Sequence, residues 1–331
     1  MITDPLFLLG IFGITASVVA WIRFNLQGLT TEPFLVKYLS FIGLTSAIAL
    51  LISIFTNSGD LGIILLVGAV ISFLVLLIGI YFANDEIITS SRGYFIPLFL
   101  IFILRTFLYE PYQIPSGSME PQLKKGDFLL VNKHAYGLKI NRIGTPSLLR
   151  NDPEYGDLVV LIPPHNPVPY IKRLIGKPGD VVRIINKNIY INGIAIEKDF
   201  IESKETKLKR RYKYSSGEVI TRELDVVIDL YNEKHGDADF IVKNTRGQNK
   251  QYPQEWTIPN GHYFVMGDNR DNSQDSRFEN IVGYIPIVNL VGKAQFIFFS
   301  LENSRFFQIW KWPNSIRFER LFKLIKWKKI N

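Results

Sequence analysis

Two serine hydroxyls lie in a short turn between Pro115 and Pro121, with the sequence PSGSMEP. The prolines restrict the backbone and the central glycine lets it turn sharply, so the hydroxyls of Ser116 and Ser118 can stand clear of the main chain. A serine hydroxyl becomes a nucleophile when a neighbouring base accepts its proton. The turn is therefore a candidate catalytic element, and it needs a base.

The usual bases and metal ligands are poorly placed for this role. The chain has no cysteine, which excludes disulfides, cysteine nucleophiles and thiolate metal sites. The histidines are scattered without metal-site spacing, at His134, His165, His235 and His262. Ser118 does not lie in a GxSxG elbow, so a Ser-His-Asp triad has no clear candidates. We expect no metal and no cofactor, and the base must be of another kind.

A lysine can act as a base when burial destabilises its ammonium. Complete burial lowers a lysine pKa by roughly 3–5 units. Lys172 lies in an apolar stretch, Tyr170 to Ile175, that predicts a strand. Side chains alternate between the faces of a strand, so Lys172 can be buried while Arg173 stays in water. The alternative is an ordinary surface lysine on a half-exposed strand.

A polar segment, Gly267 to Arg277, reads GDNRDNSQDSR. Its Asp and Asn density suggests calcium, but Arg270 occupies a would-be ligand position, and the EF-hand glycine and terminal glutamate are missing. A hydrogen-bonded loop fits better, in which Asp275 pairs with Arg277 and Ser273 or Ser276 orients a neighbour. The alternative is a simple polar turn.

Long apolar stretches in the first third of the chain predict membrane spans. Leu61 to Ala83 carries no charged residue and can cross a hydrocarbon core of about 30 Å at about 1.5 Å per residue. The alternative is buried core helices, which are seldom apolar all round. We predict a membrane region over residues 1–109 with four transmembrane helices, at about 6–22, 34–55, 61–83 and 93–109.

The charges between these stretches predict the topology. Arg23 and Arg92 fall in the first and third connections. The positive-inside rule then places the N-terminus outside and the domain from about Glu110 on the extracytoplasmic face. Asp4, rather than a basic segment, precedes the first span, which argues against a cleavable signal peptide.

Residues 110–304 have the pattern of a mainly β domain. Short apolar, β-branched runs alternate with Gly-Asp turns, and Asn192-Gly193 is a hairpin signal. These features predict an antiparallel β-sheet or barrel-like domain. Residues 197–255 are more charged and are expected to form an inserted β subdomain, with a strand at Leu224 to Leu230. The other predicted strands contain Phe128–Val131, Leu158–Ile162, Val181–Ile185, Ile189–Ile191, Tyr263–Met266 and Lys293–Phe299.

The tail, residues 305–331, carries most of the chain's formal net charge of +8 and three of its five tryptophans. Apolar residues at helical spacing predict a basic amphipathic helix, at Phe318, Leu321, Phe322 and Ile325. Such a helix could bind an anionic membrane surface. It could equally pack on the β domain, and the spacing favours neither alternative. Nucleic acid is disfavoured because the tail follows an extracytoplasmic domain.

Three segments closely resemble the boxes of bacterial type I signal peptidases, in the family's order and at compatible separations. They are Gln113–Met119, Tyr170–Arg173 with Pro178–Asp180, and Gly267–Arg277. The similarity extends from about Arg105 to Ser300 and includes Gly126-Asp127 and Pro286 to Gly292. The resemblance implies a membrane-bound Ser/Lys dyad protease with a β-rich catalytic domain of the signal peptidase type.

The resemblance also implies a role for each matching residue. Ser118 is the nucleophile and Lys172 the neutral general base; the Ser116 hydroxyl and the Ser118 N–H form the oxyanion hole. The supporting residues are Ser273, which hydrogen-bonds the lysine amine, Asp275 and Arg277, which form an ion pair, and Met119, which covers the lysine.

The implied substrates are secretory preproteins, cut at Ala-X-Ala-like sites after small residues through an acyl-enzyme. The enzyme is expected to be a monomer in the bacterial cytoplasmic (inner) membrane, with membrane lipids as partners, no nucleic acid, and its catalytic domain on the periplasmic face. The additional N-terminal spans and the absence of a cysteine pair depart from many relatives. Two alternatives are a self-cleaving Ser/Lys repressor-type protease, which the spans disfavour, and a non-catalytic membrane scaffold.

Overall fold

The chain divides into an N-terminal helical unit, Met1–Thr106, and a β-rich unit, Phe107–Asn331. The computed structural model describes residues 4–29, 33–56, 61–137, 151–213, 219–248, 255–302 and 309–325.

The N-terminal unit consists of apolar helices. They are α1 (Pro5–Leu26), α2 (Pro33–Thr56), α3 (Leu61–Tyr81) and α4 (Asp85–Ile103), which a π-helical turn at Leu104–Leu108 follows. Helix α1 packs against α2, and α3 packs against α4. Three stretches in the described part are long and apolar enough to cross a membrane, at Pro5–Leu26, Ile64–Tyr81 and Asp85–Leu108. Helix α2 contains a shorter apolar stretch, Lys37–Ser53, so the predicted total of four spans stays a prediction.

Large apolar side chains cover the outside of this unit. Phe12 is 74% exposed, Phe34 75% and Tyr81 83%. Water would penalise such a continuous apolar surface, whereas lipid tails would not. The helices therefore fit a membrane environment.

Helix α4 begins earlier than predicted, which changes the position of an arginine used for the topology. The Asn84 side chain caps the helix by accepting a hydrogen bond from the Ile87 N–H at 3.0 Å, which places the helix start before the expected position at residue 93. Arg92 consequently lies inside α4, and the prediction that it falls in the third connection is wrong. Arg23, predicted in the first connection, lies in the last turn of α1. The orientation of the chain in the membrane stays a prediction.

The β-rich unit contains short antiparallel strands, with a long hairpin among them. They are β1 (Tyr109–Gln113), β2 (Asp127–Asn132), β3 (Leu158–Leu161), β4 (Tyr170–Gly176), β5 (Val181–Ile185), β6 (Asn188–Ile191), β7 (Ile194–Ala195), β8 (Glu197–Lys213), β9 (Val219–His235), β10 (Ala238–Thr245), β11 (Glu255–Thr257), β12 (His262–Met266), β13 (Ile285–Pro286), β14 (Leu290–Ser300) and β15 (Lys323–Leu324).

Three sheets organise these strands. The main sheet has the order β1-β2-β14-β3-β4-β12-β13, and β15 pairs with β14. A second sheet has the order β11-β5-β6-β7, and a third has the order β10-β9-β8. The mainly antiparallel β fold is as predicted. The Asn192-Gly193 hairpin is confirmed too: both residues have positive φ, and Ile191 pairs with Ile194 across the turn.

The third sheet occupies the segment that was predicted to be inserted. Its strands β8 and β9 form a long hairpin whose pairing runs from Glu197 opposite Lys234 to Lys213 opposite Val219. The predicted strand at Leu224 to Leu230 lies inside β9. We call the three strands β8–β10 the insert sheet.

The tail corrects a second prediction. Its described residues form 3₁₀ turns at Ile309–Asn314 and Phe318–Arg320 and the short strand β15, so the amphipathic α-helix predicted at 318–325 is wrong there. Tertiary contacts override the helical spacing, because Leu324 pairs with Phe296 of β14. Residues 305–308 and 326–331 of the tail lie outside the described residues.

Candidate active site

The Ser118 turn belongs to a closed loop between β1 and β2. Its ends are joined by a hydrogen bond from the Ile114 N–H to the Asp127 carbonyl, at 2.8 Å. Met119 is fully buried, Ser118 is half-buried and Ser116 is exposed. The buried methionine anchors the loop in the core, while the serines stay at the surface.

Strand β4 brings Lys172 to this loop. Its Nζ donates hydrogen bonds to Ser118 Oγ at 2.9 Å and to the Ile171 carbonyl at 3.0 Å. The Lys172 side chain is 4% exposed, and the residue pairs with Val159 of β3 in the middle of the main sheet. Ile171 packs against the same apolar cluster as Met119. A serine hydroxyl and a buried amine are therefore in direct contact.

Burial controls the protonation of this amine. Desolvation lowers the Lys172 pKa from 10.5 to about 8, although the nearby carboxylates of Asp275 and Asp268 raise it and the Arg277 guanidinium lowers it. The neutral, proton-accepting form is consequently far more accessible than in an exposed lysine.

The segment Gly267 to Arg277 contacts the Ser118 backbone and places charged side chains near Lys172. Arg277 forms a two-pronged ion pair with Asp275, at 2.8 and 2.9 Å, with both side chains buried. The Gly267 N–H donates to Asp275 at 2.9 Å. Burial acts to raise the Asp275 pKa, but the Arg277 charge and these hydrogen bonds hold it below its usual range. Within the described ranges, no cluster of His, Cys, Asp and Glu is arranged to hold a metal ion.

Ser273 lies at the site without the predicted contact. It is 2% exposed; its Oγ makes no well-aligned hydrogen bond with a described residue, but its hydroxyl interacts with the Asp275 carboxylate and helps to lower the pKa of that carboxyl. The Lys172 amine is directed instead toward Ser118 and the Ile171 carbonyl. The space around Ser273 is tight, because a Cβ built on Gly267 would collide with its hydroxyl and lie 2.6 Å from the Ser118 carbonyl oxygen.

Arg173 contradicts the expectation that it stays in water. It is 1% exposed and binds both carboxylate oxygens of Asp268 at 2.6 Å. Its guanidinium also lies 3.8 Å from the centre of the Phe240 ring, on β10. Both faces of β4 are therefore buried, because the insert sheet covers the face that was predicted to be in contact with water.

The sequence analysis also missed Asn269. Its backbone N–H donates to the Ser118 carbonyl, and its side-chain amide donates to the Gly117 carbonyl, both at 3.0 Å. Asn269 thus fixes the nucleophile candidate's own backbone. Its position in the polar segment next to the apolar strand Tyr263–Met266 was the available signal, since polar residues beside a buried strand need buried partners.

One oxyanion-hole candidate, the Ser116 hydroxyl, lies next to the Ser118 side chain. The Ser116 hydroxyl is 3.4 Å from Ser118 Oγ, within the same turn. A hydroxyl and a backbone N–H from one short turn can approach a single oxygen of a substrate that reaches Ser118. The arrangement can therefore carry out an acyl transfer.

Comparison with known proteins identifies the family. The family model described as "Signal peptidase, peptidase S26" matches residues 87–299. The chain belongs to this family. It is consequently a peptidase, a hydrolase of the class that processes signal peptides, and the predicted serine endopeptidase is confirmed at that level.

Curated relatives extend over most of the chain. Signal peptidase I of Pseudomonas aeruginosa is 38% identical over 239 residues, which cover 69% of this chain and 74% of the relative. The Pseudomonas fluorescens protein of the same name is 38% identical over 218 residues, covering 63% and 71%. The Haemophilus influenzae signal peptidase I is 34% identical over 291 residues, covering 74% and 78%. The apolar helices of the N-terminal unit fit a membrane-anchored member of this family.

Proposed function

We propose that this peptidase cleaves signal peptides from secretory preproteins with a Ser118–Lys172 dyad, through an acyl-enzyme. The observation that carries the proposal is the 2.9 Å contact between Lys172 Nζ and Ser118 Oγ. Its support is the burial of Lys172, which disfavours the charged ammonium and makes the neutral amine more accessible than in an exposed lysine. A non-catalytic scaffold does not account for a buried amine in contact with a serine hydroxyl. A self-cleaving Ser/Lys repressor does not account for the long apolar helices.

In the first step the neutral Lys172 accepts the Ser118 proton as Oγ attacks the scissile carbonyl. With a pKa of about 8, roughly one lysine in ten is neutral at pH 7, against about one in three thousand at the ordinary value. The Ser116 hydroxyl and the Ser118 N–H stabilise the tetrahedral oxyanion. Lys172 then returns the proton to the leaving amine.

In the second step water hydrolyses the acyl-enzyme, with Lys172 again accepting a proton. Asp275 and Arg277 hold the supporting segment in place, and Met119 keeps the lysine dry. Ser273 lies within this segment, and its hydroxyl, which interacts with Asp275, can accept a hydrogen bond from the amine once Lys172 releases Ser118.

The proposed substrate segment binds as an extended strand and is cut after a small residue, in an Ala-X-Ala-like pattern. Extended binding presents alternate side chains to the enzyme. We place the enzyme as a monomer in the bacterial inner membrane, with lipids around its apolar helices, its catalytic domain on the periplasmic face and no nucleic-acid partner. Anchoring restricts enzyme and substrate to one surface.

Cleavage of a purified preprotein in detergent tests the dyad. Ser118→Ala and Lys172→Ala are each expected to abolish cleavage, because either loss removes the proton transfer. Lys207→Ala, which removes an exposed lysine from the insert sheet, is the matched control. Cleavage retained by either dyad variant would exclude the mechanism.

The pH dependence of kcat/KM gives a second test. Activity should rise with pH through a limb near 8, because the free enzyme must lose the Lys172 proton. A limb at ordinary lysine values would contradict a desolvated base.

A further inference from the structure

The tail contacts the loop that carries Ser118. Arg320, in the second 3₁₀ turn of the tail, is 6% exposed. Its Nε donates to one carboxylate oxygen of Asp127 at 2.9 Å, and its Nη2 donates to the other. The same Nη2 also donates to the Gln122 carbonyl at 3.0 Å. One guanidinium thus links Gln122, within the loop, to Asp127, where the loop ends and β2 begins.

Asp127 makes further hydrogen bonds that hold the loop. Its carboxylate accepts the Lys124 N–H at 2.8 Å and the Ser300 hydroxyl at 2.7 Å. Its backbone carbonyl accepts the Ile114 N–H, which closes the loop. Asp127 is fully buried, and its charge is compensated mainly by Arg320 and, at 3.7 Å, by Arg317.

The tail is fixed on both sides of Arg320. Before it, Arg317 donates to the Lys125 carbonyl at 3.0 Å. After it, β15 pairs with β14, and Ile325 is 5% exposed in the same apolar cluster as Met119 and Leu123. We call residues 317–325 the strap. It contacts the loop at the Lys125 and Gln122 carbonyls, while the Asn269 N–H binds the Ser118 carbonyl.

We propose that Arg320 is a positioning residue for Ser118, and that the strap holds the nucleophile loop at the distance from Lys172 that proton transfer needs. The proposal rests on the proposed role of Ser118. It also gives the tail a function that is independent of lipid. A guanidinium is required, because its planar fork serves Asp127 and Gln122 together, whereas a single ammonium does not.

The test is Arg320→Lys in the full-length enzyme in detergent, with preprotein cleavage measured well below the thermal midpoint of each variant. The variant keeps the charge beside Asp127 and loses the fork. We expect kcat to fall between about 10-fold and 100-fold, as when a reacting group is misplaced by about 1 Å, with KM unchanged. Lys323→Gln, which removes an exposed charge from the same strap, is the control and should keep wild-type kcat.

A second variant covers the case in which Arg320→Lys does not fold. Asp127→Asn with Arg320→Gln removes both charges of the buried pair, leaves Arg317 its partner Glu302 at 3.7 Å and still lacks the fork. It should show the same loss of kcat. A kcat equal to that of the Lys323→Gln control, in either variant, overturns the proposal. Equal losses in Arg320→Lys and Lys323→Gln also overturn it, since they indicate a general effect of altering the strap and not the loss of the guanidinium fork. Ser118→Ala is run alongside: if it cleaves, the proposed mechanism fails, whereas if it is inactive the Arg320 result stands by itself.

Discussion

Replacing the proposed base with an apolar side chain should abolish activity and stabilise the protein. Lys172→Met keeps the length and the apolar stem of the side chain and removes the amine. Lys172 is 4% exposed, so the wild-type fold must desolvate an ammonium at neutral pH. The variant has no charge to desolvate.

The size of the effect follows from the pKa. A change from 10.5 to about 8 corresponds to about 3 kcal/mol at 1.36 kcal/mol per unit. Methionine also loses the hydrogen bonds to Ser118 and to the Ile171 carbonyl, at about 1 kcal/mol each or less. We therefore expect Lys172→Met to raise the free energy of unfolding at pH 7 by about 1–2 kcal/mol.

The pH dependence distinguishes this cause from better packing. Because the folded pKa is below the unfolded one, the unfolded state binds more protons between about 8 and 10.5, and wild-type stability rises with pH in that window. The free-energy cost of burying the Lys172 ammonium has its full value of about 3 kcal/mol below pH 8 and falls to about 1 kcal/mol at pH 10. The advantage of Lys172→Met should disappear there.

The assay is urea unfolding of the intact protein in detergent, followed by near-ultraviolet circular dichroism at pH 7 and pH 10. Lys323→Met, at an exposed position, is the control and should give the same small difference at both pH values. No gain at pH 7 would refute the desolvated base. A gain of equal size at pH 10 would attribute the effect to packing.

Two further predictions concern the supporting segment. Asp275→Asn leaves Arg277 buried without its counter-ion and should lower the free energy of unfolding by about 3–5 kcal/mol; it should also move the Lys172 limb of the kcat/KM profile to lower pH, because Asp275 raises that pKa and Arg277 lowers it. The profile is measured on the fraction of the variant that stays folded. A Lys172 limb at the wild-type pH or at a higher pH would contradict this prediction. Gly267→Ala should reduce kcat by about 100-fold through displacement of Ser273 and the Ser118 backbone; wild-type kcat would show that the segment relaxes freely.

Sequence patterns predicted the elements whose signals are local. Phe128–Val131 is an apolar run between turn signals, and it forms the core of β2. Strand β8 gave no such signal, because its described side chains are mostly exposed and show no apolar alternation. Its pairing with β9 is supported by cross-strand charges such as Lys234 with Glu197, at 3.0 Å.

The missed parts of the site depend on distant partners. Period-two alternation predicted that Lys172 and Arg173 face opposite ways, but the cover over Arg173 comes from Phe240, far along the chain. Helical spacing in the tail was overridden in the same way, by the contact of Arg320 with Asp127. Such contacts become visible only once the topology is known.

The insert sheet therefore contributes to the electrostatics of the proposed base. The carboxylates of Asp268 and Asp275 raise the Lys172 pKa, and each is bound by an arginine through two hydrogen bonds. An arginine keeps its charge at every accessible pH, so each pair stays formally neutral. Phe240 covers the Arg173–Asp268 pair from the insert sheet and excludes water from it. With both carboxylates compensated, desolvation dominates, and Lys172 can exchange a proton with Ser118 near neutral pH.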